Sequence, residues 1–81
     1  MHDTIFTEKA ERELGKLEKS IQERIFAVLE RVKIRPEAYF KRLVGEKAYK
    51  LRIGDYRVIA DIVDNKIVIL KVGHRRNVYD F

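Results

Sequence analysis

The chain has 81 residues, 46% of them hydrophobic and none of them cysteine, and its formal net charge is +5. This length predicts one domain over residues 1–81, and the lack of cysteine excludes disulfides and thiolate metal sites. No stretch approaches the ~20 apolar residues of a membrane-spanning helix, and the N-terminus lacks the basic-then-apolar order of a signal peptide, so we expect a cytoplasmic protein.

The positive charge is concentrated in the second half of the chain. Residues 1–40 contain eight Lys/Arg and eight Asp/Glu, whereas residues 41–81 contain ten Lys/Arg and five Asp/Glu. Like charges gathered in one region repel one another, and a fold tolerates this cost mostly when an anionic partner offsets it. The distribution favours a nucleic acid as partner, and solubility is the alternative reason for so many charges.

The first elements predicted are a short strand and a helix. Residues 2–6 form a weak strand candidate, and Thr7 is a suitable N-cap for a helix over residues 8–17. Apolar residues recur there at steps of four and three, giving one stripe formed by Ala10, Leu14 and Leu17.

A second helix follows after a tight turn around Lys19. Ser20 and Glu23 have the spacing of a capping box, which predicts a helix from Ser20 to about residue 34, before Pro36. Residues 36–48 predict an ordered connector with four buried anchors, Tyr39, Phe40, Leu43 and Val44.

Three strands complete the chain. Alternation and β-branched residues predict strands over Tyr49–Ile53, Tyr56–Val63 and residues 66–73, joined by tight turns at Gly54-Asp55 and Asp64-Asn65. The order β-α-α-β-β-β predicts an α+β fold, with an N-terminal strand and a helical hairpin packed on one face of an antiparallel sheet.

Alternation places several cations together on the wet face of this sheet. Lys50, Arg52 and Arg57 lie opposite the apolar side chains of their strands, so they share the outer face. A basic tail over residues 74–79 follows the last strand and brings further candidates close to this surface, namely Arg75, Arg76 and Tyr79.

Other site chemistries find little support in the sequence. His2 and His74 lie at opposite ends of the chain with no carboxylate at ligand spacing, Ser20 is the only serine, and the glycines are scattered. We therefore expect no metal and no cofactor.

The cations are suited to a reaction in which a 2′-hydroxyl of the RNA attacks the adjacent phosphate and cleaves the strand. That reaction needs a proton acceptor, charge stabilisation on the phosphate and a proton donor to the leaving 5′-oxygen. Arginine serves the second need through bidentate geometry, and tyrosine can stack a base or handle a proton. The alternative is an ordinary solvated sheet face with helix-end arginines and a core tyrosine.

Two sequence runs resemble the RelE/ParE superfamily of toxins, on the RelE side. They are Tyr49-Lys50-Leu51-Arg52-Ile53-Gly54-Asp55-Tyr56-Arg57-Val58-Ile59 and Val72-Gly73-His74-Arg75-Arg76-Asn77-Val78-Tyr79, and the resemblance covers nearly the whole chain.

The resemblance implies a toxin of a type II toxin–antitoxin system. Its activity would be that of a ribosome-dependent messenger RNA endonuclease, which cuts the codon in the A site and leaves a 2′,3′-cyclic phosphate. It also implies a RelB-like antitoxin that neutralises the toxin, so that the toxin would contact operator DNA only through the antitoxin.

The resemblance also assigns roles to residues. Arg57 matches the arginine that stabilises the transition-state phosphate, Arg75 the arginine near the leaving group, and Tyr79 the tyrosine that orients the nucleophile or base. Lys50 and Arg52 match two basic residues lining the cleavage site, completing the catalytic candidates. RNA-binding candidates are His74, Arg76, Lys71 and Lys47.

The sequence departs from the family at two points. Arg52 stands where a lysine is usual, and because arginine does not act as a general base, Arg52 supplies only charge. The tail is shorter between its arginines and Tyr79 than in some relatives, so Arg75 and Arg76 can exchange roles. His74 is either a further participant or a surface histidine.

Two other functions remain open at this level. A ParE-like toxin would inhibit gyrase with the same fold and without nuclease residues. A degenerate, non-toxic relative would survive as a DNA-binding regulator bound to its antitoxin.

Overall fold

The computed structural model describes residues 2–43, 45 and 47–77, which form five strands and two helices. They are, in chain order, β1 (Asp3–Phe6), α1 (Glu8–Gly15), α2 (Lys19–Val32), β2 (Lys41–Arg42), β3 (Tyr49–Ile53), β4 (Tyr56–Val63) and β5 (Lys66–His74), with a 3-10 helix over Pro36–Ala38 between α2 and β2. The predicted α+β order is confirmed, and the short strand β2 is added to it.

The strands form one sheet in the order β1-β5-β4-β3-β2. Strands β3, β4 and β5 pair antiparallel in sequence order, as predicted, and β2 adds to β3 antiparallel, whereas β1 pairs with β5 in parallel. Parallel neighbours need a long crossover connection, which the two helices and three intervening strands supply here. The sheet is therefore mixed, with β1 and β2 at its edges.

Both predicted hairpin turns are two-residue turns. Gly54 has φ +59, and Asp64 and Asn65 have φ +49 and +62. Two successive positive φ angles are those of a type I′ turn, whose twist matches that of the flanking strands. Asp and Asn tolerate this conformation better than most residues, as their place in the sequence predicts.

The predicted start of α1 is confirmed, since the Ala10 N–H donates to Thr7 Oγ1 at 3.1 Å. The capping box predicted at Ser20 is wrong. Helix α2 begins at Lys19, with Glu18 at its N-cap and no side-chain capping bond. Leu17 packs against the core, which fixes the chain one turn before Ser20, so the helix begins before the serine is reached.

The core lies between the helices and one face of the sheet. It consists of Ala10, Leu14, Ile25, Leu29, Val32, Phe40, Leu51, Ile53, Val58, Ala60, Ile67, Ile69 and Val72. Of the four anchors predicted in the connector, Phe40 is buried and Leu43 is half-buried. Tyr39 is 46% exposed, so that prediction is wrong, and Val44 lies outside the described residues.

A bulge in β5 sets which side chains face the core. Ile59 pairs with Lys71 but Ala60 pairs with Ile69, so Leu70 is an extra residue on β5. Val72 has its N–H bonded to the Glu13 carboxylate at 3.0 Å, which ties α1 to the strand beside the bulge. Among the residues with described structure, no helix is long and apolar enough to span a bilayer.

Candidate functional site

A cleft opens on the sheet face that points away from the helices. Its volume is about 200 Å³, and the residues around it are Tyr39, Lys41, Lys50, Arg52 and Arg57. The three cations that strand alternation predicts on one face, Lys50, Arg52 and Arg57, therefore do lie together. The cleft lies where β2, β3 and β4 run side by side.

Four cations of the cleft face each other in two cross-strand pairs. Lys41 of β2 is opposite Lys50 of β3, and Arg52 of β3 is opposite Arg57 of β4. Like charges directly opposite on neighbouring strands destabilise a sheet. The fold therefore gains nothing from this arrangement by itself, whereas an anion in the cleft would offset the repulsion.

Arg57 is held from behind by the hairpin turn that precedes it. Arg57 is only 5% exposed, and its Nη1 donates to the carbonyl oxygens of Gly54 at 2.7 Å and of Tyr56 at 2.8 Å. Among the described residues no acceptor is bound to Nε or Nη2. These groups form a fork of donors that matches two oxygens of a phosphate.

Among the described residues that line the cleft there is no carboxylate. In the described part of the chain, Lys41, Arg52 and Arg57 make no salt bridge, and the ion pair seen there joins Lys33 to Glu30 at 2.6 Å. Arg57 is therefore oriented by neutral carbonyl oxygens, which position the guanidinium without cancelling its charge.

The basic tail starts beside the turn that holds Arg57. Gly73 is the cross-strand partner of Arg57, and two residues further on the Arg75 N–H donates to the Asp55 carbonyl at 2.8 Å. The backbone of Arg75 is thereby fixed to the β3–β4 hairpin. Arg75 and Arg76 are both exposed and do not line the cleft, and the predicted Tyr79 lies outside the described residues.

His74 lies at the end of β5 with its ring against Tyr56. The two ring centroids are 5.5 Å apart in an edge-to-face arrangement, and His74 Nδ1 accepts from the Arg76 N–H at 3.3 Å. Because Nδ1 is an acceptor, a neutral His74 carries its proton on Nε2.

The remaining RNA-binding candidates lie apart from the cleft lining. Lys47 is exposed before β3. Lys71 is only 6% exposed and is opposite Ile59, which belongs to a small apolar cluster with Ala48 on the outer face. Lys71 thus lies in the sheet next to Arg57's strand, largely covered by its neighbours.

Sequence reasoning missed Tyr39 and Lys41. Strand β2 has two residues, both exposed, so it has no alternation to reveal which way Lys41 points. Four large apolar side chains within residues 36–48 predict that Tyr39 is buried with the others, yet of Tyr39 and Phe40 only Phe40 lies in the core. The basic pair Lys41-Arg42 directly after two aromatic residues was the available signal.

The arrangement is suited to binding and polarising a phosphodiester. Cations with fixed donors stabilise an oxyanion most where they are pre-oriented and partly removed from water, as Arg57 is. In the portion of the chain with described structure, no group of three or more histidines and acids could hold a metal ion.

Two comparisons of the sequence with known proteins differ in outcome. The family model for the ParE toxin of the type II toxin–antitoxin system parDE matches residues 4–79. No curated protein matches the chain.

Solved structures of toxins with this fold are similar over nearly the whole chain. The RelBE2 toxin–antitoxin complex from Mycobacterium tuberculosis contains a chain 33% identical to this one, with 91% of this chain and 98% of that chain covered and a TM-score of 0.78. For the intact RelBE complex of E. coli the identity is 26%, the coverage 91% and 96%, and the TM-score 0.78. The RelB-RelE complex of Methanococcus jannaschii, at 22% identity, 95% and 96% coverage and a TM-score of 0.75, has the same fold.

Proposed function

The chain belongs to the family of ParE toxins of type II toxin–antitoxin systems, and we propose that it acts as a metal-independent endoribonuclease that cleaves messenger RNA in the ribosomal A site. The observation that carries this proposal is the cleft around Arg57. There, three cations (Lys41, Lys50 and Arg52) accompany the Arg57 guanidinium, which is oriented by carbonyl oxygens, and none of the described lining residues is an acid.

In the proposed reaction the 2′-oxygen of a ribose attacks the adjacent phosphorus, and the bond from phosphorus to the 5′-oxygen breaks. The products are a 2′,3′-cyclic phosphate and a 5′-hydroxyl. Negative charge on the non-bridging oxygens grows in the transition state, and the Nε and Nη2 donors of Arg57 stabilise it there. Arg52, Lys50 and Lys41 neutralise the phosphates that flank the scissile one.

The 2′-hydroxyl loses its proton to a base, and the leaving 5′-oxygen takes up a proton from water, because arginine stays protonated and transfers none. Tyr79 is the proposed residue that orients the nucleophile or its base, and Arg75 stabilises the leaving oxygen. The bond from the Arg75 N–H to Asp55 supports this assignment, because it starts the tail at the hairpin that positions Arg57.

The proposed partner is a RelB-like antitoxin. The similar chains of known structure were solved in complexes named as toxin with antitoxin. A net charge of +5 and a cleft whose described lining includes four cations and no acid favour an acidic segment that folds on contact and neutralises the toxin.

A second candidate function is inhibition of gyrase without RNA cleavage. The matching family model is named for ParE toxins, which favours this alternative. Such a toxin has no use for a guanidinium that lines a cleft and makes no ion pair with a described acid, so the geometry around Arg57 supports the nuclease instead.

Expression of wild type and Arg57→Ala from an inducible promoter tests the proposal. We expect wild type to arrest growth and to produce new 5′-ends within translated codons. Arg57→Ala should lower cleavage at least about a hundredfold, as removal of a transition-state donor does. Arg57→Lys should fall between them, because it keeps the charge and loses the fork.

Arg12→Ala is the matched control, since Arg12 is an exposed arginine of α1 that lines neither the cleft nor the cavity lined by Arg31, Ile34, Arg35, Ala38 and Tyr39. Equal cleavage by wild type and Arg57→Ala would remove Arg57 from the mechanism. Growth arrest with relaxed plasmid DNA and intact messenger RNA would instead identify the gyrase inhibitor.

A further inference from the structure

A second cavity adjoins the cleft on the other side of Tyr39. Its volume is about 330 Å³, and it is lined by Arg31, Ile34, Arg35, Ala38 and Tyr39. The cavity lies where α2 ends and the 3-10 helix begins. Because Tyr39 lines both spaces, a chain that leaves the cleft on this side passes over its ring.

The charge around this cavity is strongly positive. Residues 31–42 contain five Lys/Arg and a single acid, Glu37. Neither of the two arginines in the lining makes a salt bridge within the described part of the chain, where Glu30 pairs with Lys33 instead. The carboxyl end of α2 carries roughly half a negative charge, which two full guanidinium charges outweigh.

The same surface exposes apolar area that the core does not use. Ile34 is 67% exposed and Tyr39 is 46% exposed, although the rest of the connector anchors itself through Phe40. An exposed aromatic ring flanked by cations is the combination that binds unpaired nucleotides, since every base can stack on a ring while its phosphates meet the charges.

We propose that the second cavity is a nucleotide subsite, in which Tyr39 stacks on an unpaired RNA base and Arg31 and Arg35 contact the neighbouring phosphates. It rests on the proposed function, because the strand that enters it is the one whose scissile phosphate occupies the cleft. The subsite takes a nucleotide adjacent to the cleaved bond and adds to RNA affinity without touching the reacting atoms.

Binding of a single-stranded RNA nonamer tests the subsite. The probe carries fluorescein and 2′-O-methyl riboses throughout, so it cannot be cleaved, and its anisotropy reports binding. Tyr39→Leu, which keeps apolar bulk and removes the ring, should bind about tenfold more weakly, whereas Tyr39→Phe should bind within about twofold of wild type.

A series of nonamers that each lack one base identifies the stacked nucleotide. Wild type should lose about tenfold in affinity at one abasic position, and Tyr39→Leu should lose nothing further at that position. If Tyr39→Leu fails to fold, Tyr39→Gln is the second variant without a ring, because Tyr39 is 46% exposed and does not belong to the core, and it should give the same result.

The arginines are tested through salt dependence. Arg31→Gln with Arg35→Gln should reduce the slope of log affinity against log salt by about 1.4, because each phosphate contact on a single strand contributes about 0.7. Arg12→Gln removes one charge from α1, away from both cavities, and should leave the loss at the abasic position unchanged.

The outcomes separate the two proposals. Wild type that does not bind the nonamers overturns the subsite, whereas the nuclease proposal is decided by the cleavage of translated messenger RNA. Equal affinity of wild type and folded Tyr39→Leu, with no special abasic position, overturns the subsite and leaves the nuclease proposal intact. A Tyr39→Leu variant that loses antitoxin binding but keeps RNA binding assigns this surface to a protein and overturns the subsite as well.

Discussion

Arg57 shows how a charged side chain can be buried without an ion pair that neutralises its charge. Arg57 is only 5% exposed, and two carbonyl oxygens, those of Gly54 and Tyr56, accept hydrogen bonds from its Nη1, so the buried guanidinium is hydrogen-bonded. Hydrogen bonds from a charged donor to neutral acceptors are strong, and unlike an acid they leave the net charge available to a ligand. The position of Arg57 therefore depends on the conformation of Gly54.

At Gly54 we expect substitution by alanine to lower both stability and activity. Its φ is +59, and an added Cβ would lie 3.1 Å from Nη1 of Arg24. The left-handed conformation costs alanine about 1–2 kcal/mol, and displacement of the turn moves a carbonyl that holds Arg57. Urea unfolding and RNA cleavage by Gly54→Ala measure the two effects separately.

Gly15→Ala is the matched control for that substitution. Gly15 ends α1 with no atom within 4 Å of an added Cβ. The same change should therefore raise the free energy of unfolding there, by up to about 1 kcal/mol. Destabilisation at both glycines would mean that the strain at Gly54 is not the cause.

Among the elements, β2 is the shortest strand described, and it still contributes Lys41 to the cleft lining. Its two residues pair with Lys50 and Tyr49, and this pairing places Lys41 opposite a second cation. The 3-10 helix before it turns the chain so that Tyr39 faces solvent between the two cavities. Without this edge strand the cleft would have one wall, formed by β3 and β4.

The helix starts allow a paired test of capping. Thr7→Ala removes the bond from the Ala10 N–H and should lower the free energy of unfolding by about 1 kcal/mol. Ser20→Ala should leave it within about 0.5 kcal/mol of wild type, because Ser20 lies inside α2 and caps nothing. For a domain of this size, 1 kcal/mol corresponds to roughly 4–8 °C in thermal melting. An equal loss of stability in Ser20→Ala would mean that Ser20 does cap α2, as the capping-box prediction states.

Periodicity in the sequence was sufficient to predict the strands and the outer face of the sheet. Alternation over β3 and β4 put Lys50, Arg52 and Arg57 together because a pleated strand has a period of two residues. Alternation could not reveal β2, whose two residues cover a single period of the pattern. It also could not reveal the start of α2, because packing of Leu17 against the core moved the helix start ahead of Ser20, the better capping residue. The exposure of Tyr39 likewise depends on how the connector packs.

For the whole molecule, the positive charge is concentrated on one surface, and the residues of that surface come from both halves of the chain. The helical half has no net charge when residues 1–40 are counted together. The end of α2 nevertheless contributes Arg31 and Arg35 to the same side as the cleft, through their shared neighbour Tyr39. The basic surface is therefore continuous across elements that the sequence separates, which suits a polyanion longer than one nucleotide.

RNA binding should depend on salt more steeply than antitoxin binding. If the four cations of the cleft each neutralise a phosphate, RNA affinity should fall about fiftyfold between 50 and 200 mM salt. Antitoxin affinity should fall less, since burial of apolar surface carries most of it. Anisotropy for RNA and calorimetry for the antitoxin, over the same salt series, compare the two slopes. Equal slopes would mean that charge dominates both.

The extra residue in β5 determines where the chain tolerates a change in length. Before Leu70 the inward residues are Ile67 and Ile69, and after it Lys71 faces outward while Val72 faces inward. Loss of Leu70 would make the alternation regular and leave every later side chain on its present face. Loss of a residue from β4, the strand that contains Arg57, has no such compensation. It would put Arg57 on the other face of the sheet, with its guanidinium toward the helices. Insertions and deletions among relatives should therefore collect at this one position of the last strand.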